Sequence, residues 1–113
     1  MKKETLQAVA DILGNGYKCY VNTTTEEVQT AENVSLEDQQ SDNYKEYVPL
    51  EGPVIFGFMQ DYVKSVEDFE KQSELLGAIS FDNPFKSFKT AVYSTGLADD
   101  WIAYRIARIM EVI

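Results

Sequence analysis

The spacing of apolar residues changes at Gly52, from alternation to a helical period, and this change restricts the fold more than any other feature. Upstream, Tyr17-Lys18-Cys19-Tyr20-Val21-Asn22 is β-branched and aromatic, and alternation puts Tyr17, Cys19 and Val21 on one face. A turn-rich break at Asn22-Thr23-Thr24-Thr25 and a return strand through Glu26-Glu27-Val28-Gln29-Thr30-Ala31-Glu32 complete a β-hairpin. Residues 33–43 are polar and read as a flexible loop. Tyr44-Lys45-Glu46-Tyr47-Val48-Pro49-Leu50 alternates again as a third strand, with Pro49 at its end or on an edge. Ahead of the hairpin, Leu6, Val9, Ala10 and Leu13 predict an amphipathic helix over 4–13, stopped by Gly14-Asn15-Gly16.

Beyond Gly52 the pattern is helical. Ile55, Met59, Tyr62 and Val66 form one stripe and Pro53 suits a first turn, with Pro53-Val54-Ile55-Phe56-Gly57-Phe58 as a strand the alternative. Ser65 and Asp68 stand three apart, a capping-box variant that starts another helix with Phe69, Gln72, Leu75, Leu76 and Ile79 on its inner face. Asp82 or Asn83 caps a further helix in which Phe85, Phe88 and Val92 face inward while Lys86 and Lys89 stay near water. Gly96 ends it. Asp99 and Asp100 open a last helix, where its dipole favours carboxylates, and Ile102, Ile106, Ile109 and Ile113 give that helix its apolar face. Strands first and helices afterwards imply an α+β fold: an N-terminal helix, a small antiparallel sheet of two or three strands, then about four short packed helices. At 113 residues the expectation is a single domain over 1–113, with a helix and hairpin region over 1–51 and a helical region over 52–113.

Composition excludes more functions than it suggests. The chain has no histidine, which removes the commonest general base and zinc ligand. Its single cysteine, Cys19, has no partner for an intrachain disulfide or a thiol–imidazole pair and reads as a small buried hydrophobe. No glycine-rich phosphate loop is present. Asp99 and Asp100 are adjacent on a helix, so their side chains diverge by about 100° and do not form a carboxylate dyad. Counted as a calcium loop from Asp38, the run fails at its sixth position, Asn43, and its twelfth, Pro49. Asp38, Asp42 and Glu46 remain weak candidates for a divalent ion.

The net charge is −9. Residues 26–51 hold eight carboxylates against Lys45 alone, whereas over 81–113 the charges balance. Such a field opposes nucleic acid and anionic lipid. The best interaction surface is on the C-terminal helices: Lys86 and Lys89, with Trp101, Arg105 and Arg108 at i, i+4 and i+7 and Tyr104 further round. Arginine beside tryptophan is favoured at interfaces. The structural alternative puts Trp101 at the edge of the core and pairs the arginines with Asp99, Asp100 or Glu111.

Met59-Gln60-Asp61-Tyr62-Val63, Leu75-Leu76, Pro84-Phe85-Lys86-Ser87-Phe88-Lys89 and Trp101-Ile102-Ala103-Tyr104 occur in that order. They resemble the Met-Glu-Asp-Phe-Ile, Ala-Phe-Arg-Arg-Phe-Lys and Trp-x-x-Phe segments of uncharacterised protein family 0158, a family of small bacterial proteins of unknown function. The similarity is loose from residue 17 and concentrated in 55–108. Lys86 and Ser87 depart from it, standing where two arginines are usual, and Pro84 replaces a small residue. The resemblance implies an α+β fold and a bacterial, cytoplasmic setting, and it brings no activity and no functional residues. The expectation is therefore a cytoplasmic, non-enzymatic protein that binds a protein partner through the basic aromatic patch. No cofactor is implied, nucleic acid and membrane are disfavoured, and the oligomeric state is open. The alternative is a carboxylate-based or divalent-ion-dependent enzyme or small-ligand-binding protein.

Overall fold

A computed structural model describes residues 1–113. It contains six α-helices and a three-stranded antiparallel sheet, an α+β arrangement. By their contacts the residues form two compact units, Met1–Leu50 with Ile106–Ile113, and Glu51–Arg105.

In the first unit, α1 (Lys3–Gly14) buries Thr5, Val9, Ala10 and Leu13, and Leu6 is only half-buried. Gly16, at φ +88°, takes the left-handed conformation that turns the chain out of the helix. Strand β1 (Cys19–Asn22) is central, between β2 (Val28–Thr30) and β3 (Tyr44–Tyr47). Cys19 pairs with both Thr30 and Tyr47. Alternation does not describe β1: Cys19, Tyr20 and Val21 are all buried, so both of its faces are covered, and Tyr17 lies exposed outside the strand. The expected return strand is shorter than 26–32, since β2 gives way to a 3₁₀ turn (Ala31–Asn33), and the stretch 33–43 expected to be a flexible loop contains a short helix, α2 (Leu36–Gln39). Ser35 caps α2 by accepting from the Asp38 N–H at 3.1 Å. The Gln39 amide donates to the Ala31 and Val34 carbonyls at 3.1 and 2.9 Å. Two polar side chains, Ser35 and Gln39, thus satisfy backbone groups of this stretch.

In the second unit, α3 (Gly52–Ser65) buries Phe58, Met59, Tyr62 and Val63, with Pro53 in its first turn. Helix α4 (Phe69–Ala78) packs on α3 and on α5 (Pro84–Ser94). Asp68 alone caps α4, accepting from the Lys71 N–H at 3.1 Å; Ser65 instead donates to the Tyr62 carbonyl at 2.7 Å as α3 ends. The inner face of α4 is Leu75 and Ala78, while Phe69, expected inside, is 77% exposed and Leu76 is also exposed. Asn83 caps α5, and Phe88, Ala91 and Val92 are buried. Gly96, at φ +77°, ends it. Helix α6 (Ala98–Val112) begins in the second unit and ends in the first. Its covered residues are Trp101 and Ile109; Ile102, Ile106 and Ile113 are half-buried, so the isoleucine stripe is not the helix's inner centre.

Candidate functional site

Helix α5 has two charges, Lys86 and Lys89, and no carboxylate. Both lysines are exposed and neither takes part in an ion pair. Helical spacing sets Lys86, Lys89 and Tyr93 (i, i+3, i+7) on one outward side with Thr90, whose hydroxyl donates to the Lys86 carbonyl at 3.1 Å. Tyr93 is 61% exposed. Phe85, one turn before Lys89, is 44% exposed rather than buried. Its ring meets Phe56 edge-on at 6.4 Å and lies over Gly52, where an added side-chain carbon would come within 3.5 Å of it. The outward side of α5 is therefore ring, cation, ring at i, i+4 and i+8, with a second cation alongside.

Beneath this helix the rings are fixed. Phe88 meets Trp101 edge-on at 4.9 Å and Tyr62 at 6.4 Å. Trp101 lies 5.4 Å from Tyr62 and stacks on Tyr104 at 6.1 Å. Such contacts add about 0.5–1.5 kcal/mol each beyond area burial. The Tyr62 hydroxyl donates to Asp100 Oδ2 at 2.8 Å. Burial first, then that hydrogen bond and the carboxylate's charge, hold the Tyr62 phenol well above its ordinary pKa. It is a neutral donor, with nothing to recommend it as a base.

The six residues singled out in the sequence are thus distributed. Lys86 and Lys89 share an open face. Trp101 is 6% exposed and packs against Phe88 of α5. Tyr104 and Arg105 are half-buried on α6. Arg108 belongs to the first unit, its Nε 3.5 Å from Glu111 Oε2, as the pairing alternative expects. Sequence reasoning missed Phe85 and Tyr93. Tyr93 was within reach, because it lies at i+7 from Lys86; Phe85 was not, because a ring in a first turn is covered only if another element passes over it.

The acidic candidates do not assemble. No group of three or more acidic, histidine or cysteine side chains is arranged to hold a metal ion. Glu46 Oε2 accepts from the Tyr20 hydroxyl at 2.6 Å and lies 3.9 Å from Lys18 Nζ, while Asp38 contributes backbone groups to the α2 turn. That carboxylate, with burial, raises the Tyr20 pKa. Cys19 is buried, and burial pushes its thiol up as well, so it is a poor nucleophile. An open cleft of about 560 Å³ in the first unit is lined in part by Lys2, Thr23, Glu26, Lys45 and Tyr47. Glu26 there sits at φ +60°, its carboxylate accepting from the Lys2 N–H at 2.9 Å.

These features define an α+β protein with a basic, aromatic helix face. The profile of the uncharacterised protein family UPF0158 matches residues 12–113, and the chain belongs to that family. The match takes in α5 and α6 entire and begins within α1. No curated protein and no solved structure gives a significant match. No helix is long and apolar enough to cross a membrane.

Proposed function

We propose that this chain is a non-enzymatic interaction protein that binds a macromolecular partner through the outward side of α5, chiefly Phe85, Lys86, Lys89 and Tyr93, with Tyr104 and Arg105 of α6 contributing at its margin. One observation carries the reading: two unpaired lysines stand between two exposed rings on a helix with no carboxylate, in a chain of net charge −9. Exposed cations gain little from folding, so they are free to serve recognition. Rings beside cations supply the desolvated anchors that carry most of the energy of an interface. The acidic segment over 26–51 repels nucleic acid and steers a partner toward the one cationic helix. A protein is the favoured partner and a bacterial cytoplasm the favoured setting.

The test is capture from native lysate, with nuclease, by the wild type and by K86E/K89E. Both substitutions lie on an exposed helix face, so the melting temperature should hold while a stoichiometric protein is lost. Capture at undiminished strength by the folded variant would remove α5 from the interaction.

A further inference from the structure

We propose that the outward side of α5 docks the α2 turn of a second copy of this chain. This rests on the reading above, that α5 binds a partner, and names the partner. The strongest sign is on α2. Leu36 is 76% exposed, yet the turn that carries it is fastened on several sides. Ser35 caps it; the Ser41 hydroxyl donates to the Asp38 carbonyl at 2.9 Å; the Gln39 amide is spent on two carbonyls, and its Oε1 lies 3.2 Å from the Tyr20 hydroxyl. Val34 beneath it is buried. A leucine held out to solvent on an ordered turn loses little freedom on docking, the condition under which a small apolar contact is worth making.

The surroundings of Leu36 match those of α5 in opposite sign. Glu37 follows it on α2, and Glu32 stands in the 3₁₀ turn that precedes, both exposed. The Thr30 hydroxyl, donating to Glu32 Oε1 at 2.7 Å, holds that carboxyl below its usual range and keeps it ionised. Opposite, Phe85 and Tyr93 offer apolar surface to Leu36, and Lys86 and Lys89 offer charge to Glu37 and Glu32. Pairing α5 with α5 would oppose lysines, and pairing α2 with α2 would oppose carboxylates, so only the crossed contact is complementary. Every copy carries one of each surface. The contact can close as a pair that makes it twice or run head to tail. One leucine and two ion pairs make a small, transient interface, weakened by salt.

Sedimentation velocity on the full chain tests this, from about 10 μM to about 1 mM at low salt, the range in which transient contacts populate. The wild type should associate with rising concentration and less so at high salt. K86E/K89E and L36A/E37K should each associate at least about tenfold more weakly. Mixed together, they should form a 1:1 heterodimer, since the first keeps its α2 turn and the second keeps its α5 face. Far-UV circular dichroism checks that both remain folded. A wild type that stays monomeric throughout overturns the proposal, as does association that survives in both variants, or nucleic acid co-sedimenting through the lysines. If the wild type is monomeric but lysate capture still depends on Lys86 and Lys89, the second copy is refuted and the partner-binding reading stands. Loss of both results refutes both.

Discussion

Tyr62 links the ring cluster to water: its ring touches Phe88, Trp101 and Tyr104, and its hydroxyl ends on Asp100. Because Asp100 is itself exposed, Tyr62→Phe leaves no buried acceptor stranded and should cost only about 1 kcal/mol, an ordinary hydrogen bond's net value. The pH dependence is more specific. A phenol whose pKa is raised on folding contributes stability that is complete below the unfolded value, about 10, and is lost as pH rises from there through the folded value. Urea melts of the wild type should therefore weaken steeply above about pH 10, and those of Y62F less steeply. Identical slopes would mean that Tyr62 is not desolvated. Cys19 and Tyr20 shift in the same direction, so the Y62F curve keeps a residual slope. At this scale the sequence was a fair guide where residue type settles the outcome, as for buried Cys19. For Trp101 it left two readings open, a partner contact and the edge of the core, because the burial of that ring depends on Tyr62 and Phe88 from other helices.

Among the elements, caps separate local from nonlocal information. Asn83 and Asp68 accept from N–H groups three residues on, and such pairs are legible in a sequence because both partners are local. Yet Ser65 also fitted a capping pattern, and only the course of α3 gives it to the Tyr62 carbonyl. Asp68→Ala should thus lower stability by about 1 kcal/mol, or about 4 °C in Tm for a chain of this size, while Ser65→Ala should stay within about 0.5 kcal/mol. Equal losses in thermal melts would return Ser65 to the cap. Helix α4 shows the reverse limit. Of its expected inner face, Phe69, Gln72, Leu75, Leu76 and Ile79, Leu75 is fully buried, Gln72 and Ile79 are half-buried and Phe69 and Leu76 are exposed, while Ala78 is covered as well. Which residues of such a face are covered depends on where α3 and α5 abut it, which hydrophobic periodicity does not register.

For the molecule as a whole, the last helix matters most, because its residues are divided between the two units. Ile109, fully buried, belongs to the first; Trp101, the chain's single tryptophan, belongs to the second. We propose that residues 1–113 unfold as one cooperative domain. Ile109→Ala should then cost about 2–5 kcal/mol and move the Trp101 fluorescence midpoint together with the circular dichroism midpoint. A fluorescence midpoint that stays put while the dichroism shifts would make them two domains.

The sequence by itself determined the α+β class, the sheet before the helices, the glycines at the two left-handed helix exits and the absence of histidine chemistry. Each follows from residue type or from spacing within one element, where backbone sterics and side-chain period act over a few residues. Tertiary structure decided which side of each stripe was covered. It ordered the α2 turn through Gln39 and Tyr20, closed both faces of β1, sank Trp101 and left Phe85, Tyr93 and Leu36 in the open. Those outcomes depend on which elements abut, and burial of a side chain is a property of its neighbours in space, which a period along the chain does not specify.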